Sequence, residues 1–266
     1  MQTSLKNSKK CSTLKALLLS ASLFSVPAFL ASSAYAVPLA SVEAPSRSIL
    51  DALKSDLAKR QHSSFQAVLK NWETLYGTRA VAPLLQIAGD SHREDPDRYL
   101  ALMGAAKLGG LEVATGLVPF LKDRSWMIRA GALRALGALK HPKTSAFVLP
   151  LLRDPALIVR SEAVDTIALL RPAGAVAALL AALEQPDNYH HGKAQWVPGK
   201  ALTALVQLQA KDSALRLRPL LSHNQDPELQ EKTVTALEHL TGKKLKSGAP
   251  LLARVEEWKT ALSSPK

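Results

Sequence analysis

The segment from residue 185 to residue 197 gathers most of the side chains with which this sequence could do chemistry. Its sequence is QPDNYHHGKAQWV, and its reactive or aromatic members are Tyr189, His190, His191, Lys193 and Trp196. Phenol, imidazole, amine and indole groups form hydrogen bonds and stack on ligands, and imidazole also exchanges protons near neutral pH. We therefore interpret the segment as a ligand- or partner-binding loop. The alternative is an elongated turn with Trp196 folded onto the core.

No pattern in the sequence predicts a metal site or a nucleophile. Adjacent residues such as His190 and His191 seldom converge on one ion, and no HExxH motif is present. The chain has one cysteine, Cys11, and no GxSxG motif. We predict no enzyme activity, no catalytic or metal-ligating residue and no cofactor. The remaining histidines are predicted to be solvated: His62, His92, His141, His223 and His239.

The residues around this segment repeat with a period of about 31. Asp123 and Arg129 recur as Asp154 and Arg160, with the same spacing of six. A third copy is placed upstream at Asp95, with Ala101 at the Arg position and Gly104 at the small-residue position of Ala132 and Ala163. Asp187 and Asn224 mark two weaker downstream copies. Repetition at this period predicts stacked supersecondary units.

Each copy contains an apolar helix, a short polar turn and a second helix. The predicted first helices are Ala80–Ala88, Ala114–Leu121, Ala146–Leu152, Ala175–Leu183 and Ala214–Leu221. Asp95-Pro96, Asp154-Pro155 and Asp226-Pro227 are start signals for second helices, because Asp caps free N–H groups and Pro tolerates the first turn. No run alternates with period two, so no substantial sheet is expected. The turn of the fourth copy is about seven residues longer than the others, and it forms the 185–197 loop.

The sequence resembles the HEAT-repeat family, in its short bacterial form, over about residues 79–242. The residues that carry the resemblance are Asp123, Arg129, Asp154 and Arg160. The resemblance implies an all-α, right-handed α-solenoid of about five helical hairpins. It also implies that these four residues form a structural ladder between neighbouring repeats. Residues 47–78 and 243–266 are predicted to be helical caps. Leu251, Leu252, Val255, Trp258 and Leu262 would close the last repeat.

Several basic residues fall on the predicted second helices: Arg129, Arg134, Lys140, Arg160, Lys200 and Lys232. In the family these helices line the concave side, so a positive groove would face an acidic partner. The competing interpretation assigns Arg129 and Arg160 to the ladder. We favour the ladder for these two, because their spacing from Asp123 and Asp154 recurs unchanged.

The N-terminal segment has the order of a secretory signal peptide. Four lysines precede an apolar stretch, and Ala34-Tyr35-Ala36 supplies a cleavage site. We predict cleavage after Ala36, a linker at 37–46, no transmembrane segment in the mature chain, and a periplasmic or secreted location. Removal of residues 1–36 lowers the formal net charge from +12 to +8, because the segment holds four lysines and no acid. Export argues against a nucleic-acid partner.

The function that these features favour is a non-catalytic protein-binding scaffold or adaptor in the bacterial envelope. It would use the concave face and the 185–197 loop. One alternative is a peripheral binder of anionic cell-wall or lipid polymers through the basic surface. Another is a lyase-like enzyme or enzyme accessory factor, since some short HEAT-like proteins resemble chromophore lyases.

Overall fold

The computed structural model describes residues 47–59 and 64–263. The predicted signal peptide, the 37–46 linker and His62 lie outside the described residues. Within them the chain forms five helical hairpins with further helices at both ends. The fold is therefore an all-α solenoid, as the repeats predicted.

Two helices precede the first hairpin. They are α1 (Arg47–Lys59) and α2 (Phe65–Leu75). Ser64 caps α2, because its Oγ accepts the Ala67 N–H at 3.2 Å. Trp72 of α2 is fully buried, and its Nε1 donates to Asp56 of α1 at 3.1 Å. This bond ties the two helices together beside the first repeat.

Repeats 1 to 3 span residues 77–170. Repeat 1 consists of a 3-10 turn (Gly77–Ala80), α3 (Val81–Gly89) and α4 (Asp95–Gly109). Repeat 2 consists of 3-10 segments at Gly110–Val113 and Val118–Lys122, α5 (Ala114–Leu117) between them, and α6 (Trp126–Leu139). Repeat 3 consists of a 3-10 segment (Pro142–Arg153) and α7 (Leu157–Leu170).

Repeats 4 and 5 complete the solenoid. Repeat 4 consists of α8 (Ala175–Glu184), a 3-10 turn (Pro186–Asn188), β1 (Tyr189–His190), β2 (Lys193–Ala194) and α9 (Trp196–Gln207). Repeat 5 consists of a 3-10 segment (Lys211–Ser222) and α10 (Pro227–Thr241), and α11 (Leu251–Ala261) follows it.

Three of the five predicted first helices have the predicted position but the wrong type. Those of repeats 2, 3 and 5 are largely 3-10 helix. Pro150 and Pro219 lie inside their 3-10 segments, and Pro119 is the second residue of Val118–Lys122. Proline has no N–H, and its ring clashes with the carbonyl of residue i−4, so it interrupts the α-helical bonding pattern. Pro83 is tolerated in α3 because it stands in the first turn.

The second helices form one layer and the first segments form the other. Along the chain α4, α6, α7, α9 and α10 pack each against the next. A continuous core of leucine, alanine and valine lies between the layers. Close packing within the second-helix layer needs a small residue at Gly131, where a Cβ atom would lie 2.8 Å from the Tyr99 ring. Because each hairpin buries its apolar side on its neighbours, the repeats stabilise one another.

The C-terminal helix α11 covers repeat 5 with fewer residues than predicted. Val255 and Trp258 are buried against the core, whereas Leu252 is 72% exposed. Leu252 therefore lies on the solvent side of the helix, and its assignment to the closing contact was wrong.

One described stretch, Asp95–Lys122, has the length and hydropathy of a membrane span. In the fold it is interrupted by Gly110, whose φ of 54° ends α4, and it continues as the first segment of repeat 2. Most of its leucines and alanines belong to the core between the two layers, and Leu111 is exposed. The apolar character of the stretch is thus explained by the packing of two repeats.

Candidate functional site: the 185–197 loop and the cleft beside it

A row of arginines crosses the first repeat boundaries. Arg98, Arg129 and Arg160 are each the fourth residue of a second helix. Arg129 forms a bidentate ion pair with Asp154 of the next repeat. Its Nε donates to Oδ2 at 2.6 Å and its Nη2 donates to Oδ1 at 2.7 Å. Arg98 pairs with Asp123 in the same way. The same arginine positions therefore join repeat 1 to 2 and repeat 2 to 3.

The first copy precedes the second by 31 residues, from Arg98 to Arg129. The match of Asp95 with Asp123 implies 28. Placing Ala101 at the Arg position was therefore wrong, because Arg98 forms the equivalent contact. The mistake arose because Asp95 stands three residues before Arg98, whereas Asp123 stands six before Arg129. Ala101 is fully buried, and with the corrected offset it corresponds to Ala132 and Ala163, where Gly104 had been placed.

The aspartates of the intra-repeat turns play different local roles. Asp123 and Asp154 accept the N–H groups of Ser125 and Ala156, at 2.8 and 2.9 Å. The predicted capping role applies to Asp226, whose Oδ1 accepts the Leu229 N–H at 2.9 Å. It does not apply to Asp95, which is the first residue inside α4.

Ionised Asp123 is stabilised by its neighbours. Burial alone would raise the pKa of this carboxyl, but the Arg98 guanidinium and the Ser125 N–H lower it below the ordinary value. The ladder carboxylate therefore remains charged at neutral pH.

At the third boundary Arg160 contacts the base of the 185–197 loop. Its Nε donates to Asn188 Oδ1 at 2.8 Å, and its Nη2 donates to the Asp187 carbonyl at 2.7 Å. Asn188 is fully buried and also donates to the Ala182 carbonyl at 2.9 Å. The acceptor side chain is thus Asn188, next to Asp187, which had marked this copy in the sequence. These bonds hold the start of the loop in place.

Tyr189 is turned into the protein rather than toward a ligand. Its hydroxyl donates to the Leu183 carbonyl at 2.6 Å, and its ring stacks on His223 with centroids 5.4 Å apart. Burial, with a smaller contribution from Asp226, raises the pKa of Tyr189 to about 12. His223 is half-buried, contrary to the prediction that it is solvated.

The rest of the loop is an exposed two-residue hairpin. Tyr189 pairs with Ala194 and His190 with Lys193, and the turn residues His191 and Gly192 both have positive φ. Two positive φ values define a type I′ turn, which suits the twist of a hairpin. The hairpin is tied to repeat 5, because the Ala194 N–H donates to Asp226 Oδ2 at 2.7 Å.

Of the predicted loop residues, the histidines, Lys193 and Trp196 face solvent. The rings of His190 and His191 meet edge-on, with centroids 4.0 Å apart. Trp196 is the first residue of α9 and is 59% exposed, so the core alternative for this side chain was wrong. No group of three or more potential metal ligands occurs among the described residues.

A half-open cleft of about 540 Å³ lies beside Trp196, between the N-terminal ends of α9 and α10. The residues that line it include Leu157, Gln195, Trp196, Asp226 and Glu228. Gly199 and Lys232 line both this cleft and a second, mainly apolar cavity of about 260 Å³ further along the two helices. The two cavities therefore form one groove, which sequence reasoning missed. The glycine at the fourth position of α9 was the signal that could have indicated it.

Most cations of the second helices have local partners. Arg134 pairs with Glu162 at 2.8 Å, Lys232 pairs with Glu228 at 2.6 Å, and Lys200 pairs with Asp165. Lys140 makes no ion pair within residues 47–59 and 64–263. Local pairing of most of these cations favours the competing interpretation over a broad positive groove.

Comparison with known proteins agrees with this architecture. Residues 81–168 match the family model for HEAT repeats, over about a third of the chain and most of repeats 1 to 3. The search of curated proteins found no match.

Similar solved structures include an engineered protein and a designed armadillo repeat protein in complex with peptide (KR)4. The first is 18% identical, with a TM-score of 0.47, and the match covers 72% of this chain and 97% of that chain. The second is 18% identical, with a TM-score of 0.37, and the match covers 83% and 100%.

The fold and the family match together define a class. The chain is an all-α repeat solenoid in which residues 81–168 match HEAT repeats. Its distinguishing feature is the hairpin loop inserted into repeat 4.

Proposed function

We propose that the protein is a non-catalytic, protein-binding scaffold or adaptor of the bacterial envelope. Its contact surface is the second-helix layer around α9 and α10, together with the 185–197 loop. The observation that carries the proposal is the exposed indole of Trp196 beside the groove. Tryptophan is enriched in binding hot spots, and this indole lies beside a groove whose second cavity is mainly apolar.

The loop supports this function because it is firmly attached. Arg160, Asn188, Tyr189 and Asp226 fix both of its ends through hydrogen bonds. A fixed loop loses little conformational entropy when a partner binds. The exposed groups, including Trp196, are therefore presented to the partner in one arrangement.

The test is site-specific photo-crosslinking in the native envelope. A photo-reactive residue replaces Trp196 in one variant and Trp126 in the other. Trp126 is a matched control, because it is also the first residue of a second helix and is 45% exposed, but it lies in a repeat without the loop. We expect a discrete protein adduct at position 196 and none at position 126. Identical patterns at both positions would contradict the proposal.

Binding of an anionic envelope polymer or lipid surface is a second candidate, favoured by a separate set of charges. Exposed cations without an ion pair among the described residues stand on or next to the connections between repeats: Lys140, Lys143, Arg171, Lys211, Lys243 and Lys244. Connections between consecutive repeats lie along one edge of a solenoid, so these cations form a basic edge. Asp212 is an acid next to Lys211, and Glu112 is an acid on the connection between repeats 1 and 2.

The basic edge is tested by cosedimentation with vesicles that contain phosphatidylglycerol. Binding should weaken as salt rises, because the attraction is screened. It should also be lost when Lys140, Lys143 and Arg171 are changed to glutamine. Equal binding to neutral phosphatidylcholine vesicles, or binding that is independent of salt, would contradict this candidate.

A further inference from the structure

The arginine row is interrupted at one repeat boundary. The fourth residue of the second helix is Arg98, Arg129 and Arg160 in repeats 1 to 3, but it is Gly199 in α9. In repeat 5 the position is Gln230, which donates to the Leu221 carbonyl at 2.8 Å. The boundary between repeats 4 and 5 therefore lacks the guanidinium that joins the preceding pairs.

The residue equivalent to the ladder aspartates in repeat 5 is Asn224, but a carboxylate stands two residues further along the chain. Asp226 is 7% exposed and accepts two backbone N–H groups, from Ala194 and Leu229. Within the described part of the chain no cationic side chain pairs with it, whereas Asp123 and Asp154 each pair with an arginine. A carboxylate has about four acceptor sites, so Asp226 retains capacity for further donors. A buried carboxylate of this kind favours a cationic partner.

The space around Asp226 suits an arginine side chain. The cleft that Asp226 lines also contains Leu157 and the exposed face of Trp196. A guanidinium stacks on indole and donates in a planar fork to carboxylate, while its apolar stem packs on leucine. Lys232 lies over Gly199, but its ammonium is held by Glu228 at 2.6 Å. The charged residues that line the cleft are Asp226, Glu228 and Lys232, so its lining has a net negative charge.

We propose that this cleft binds an arginine side chain of a partner protein, in place of the guanidinium that the chain itself supplies at the preceding boundaries. The inference rests on the proposed scaffold function and names the chemistry of its partner at this cleft. It differs from the acidic partner that the basic composition predicted. The partner arginine would contact Asp226 and Trp196, and its flanking backbone would follow the groove between α9 and α10.

The test uses the full-length protein and a small probe, N-acetyl-arginine amide. Nuclear magnetic resonance signals of the Trp196 indole and of the backbone amides of α9 and α10 report binding. We expect saturable shifts with the arginine probe and none with the citrulline analogue, which has the same shape without the charge. Equal shifts with both probes would overturn the proposal.

Two substitutions at position 199 supply matched variants. Gly199→Arg places a guanidinium in the cleft from the chain itself and should weaken probe binding by about tenfold or more. Gly199→Ala adds only an uncharged methyl group, so it should weaken probe binding less than Gly199→Arg does. Both should fold, because the added Cβ meets the flexible Lys232 side chain at 3.2 Å and helical glycine is unfavourable. Unchanged probe binding by Gly199→Arg would refute the inference, and thermal unfolding checks that each variant is folded.

The two proposals can fail separately. If crosslinking at position 196 captures a partner but the arginine probe produces no shift, the scaffold function stands and the arginine assignment is wrong. If the probe binds and no partner is captured, the cleft chemistry stands and the scaffold function is wrong.

Discussion

The role of a charged side chain in this solenoid depends on which boundary it faces. Arg129 and Asp154 are 12% and 5% exposed, whereas the neighbouring Arg134 is 58% exposed in its pair with Glu162. A buried ion pair leaves an uncompensated charge when one partner is removed, while an exposed pair is solvated in either case. The two arginines, five residues apart on α6, therefore allow a direct comparison.

Replacing Arg129 with methionine should destabilise the protein by about 3–5 kcal/mol, because Asp154 would remain buried without its cation. Arg134→Met is the control and should cost less than about 1 kcal/mol. The free energy of unfolding in urea measures both. Similar costs for the two variants would show that the Arg129–Asp154 pair does not hold the repeats together.

The ladder also predicts how stability depends on pH. The pKa of Asp123 is below its ordinary value of 3.8 in the folded protein, so the unfolded chain binds this proton first as the pH falls. Its contribution is present above about pH 4 and is lost as the pH falls through the folded pKa. Asp123→Asn should therefore show a smaller loss of unfolding free energy between about pH 5 and pH 3. An unchanged slope would mean that Asp123 does not contribute to acid unfolding.

At the scale of elements, the sequence predicted the hairpins better than the type of their helices. Leucine and alanine spacing locates a helical segment whether it is α or 3-10, because both bury one side. The effect of Pro119, Pro150 and Pro219 was predictable in principle, since proline in a helix interior interrupts bonding. The position of Tyr189 was not, because its docking depends on His223, which lies 34 residues further along the chain.

The ends of the second helices use two kinds of residue at positions of positive φ. Lys140, Arg171 and Gly242 are left-handed, and Gly110 and Gln209 also have positive φ. Side chains other than glycine are strained there by about 1 kcal/mol. A cation offsets part of this strain energy, because its charge interacts favourably with the helix C-terminus.

Gln209→Gly should therefore stabilise the protein by about 0.5–1 kcal/mol, because it relieves strain without removing a charge. Lys140→Gly should stabilise it less, since the same relief is offset by the lost interaction with the helix end. Chemical unfolding of both variants gives the comparison. A larger gain for Lys140→Gly would argue against a stabilising role for that cation.

The hairpin in repeat 4 has its own test. Tyr189→Phe removes the bond to the Leu183 carbonyl and should cost about 1 kcal/mol. Because the pKa of Tyr189 is raised to about 12, the tyrosine contributes below about pH 10, and the contribution is lost as pH rises through 12. The variant should therefore lose less stability in alkali, which spectroscopic unfolding would detect. Crosslinking through position 196 should persist in it, because Trp196 does not depend on the hydroxyl.

At the scale of the whole molecule, the solenoid was predictable because its repeats are similar enough to align. The groove was not predictable, because it results from a difference between repeats. Gly199 stands where three arginines stand, and this becomes visible only when the second helices are aligned by their first residues. The surface charge differed from the prediction for the same reason, since composition gives the number of cations and not their partners. Folding pairs Arg129 and Arg134 with carboxylates and leaves Lys140 and Arg171 exposed.

The proposed location predicts the mass of the mature protein. If residues 1–36 are a signal peptide, the chain recovered from the envelope begins at Val37 and has four fewer lysines than the full sequence. Intact-mass spectrometry of envelope and cytosolic fractions measures this. Ala36→Arg should block cleavage, because the residue before the cut must be small, and the unprocessed chain should then accumulate. A natural chain that retains its first 36 residues and fractionates with the cytosol would refute the envelope location. It would leave the arginine cleft unaffected, because the residues that line the cleft lie between Leu157 and Lys232.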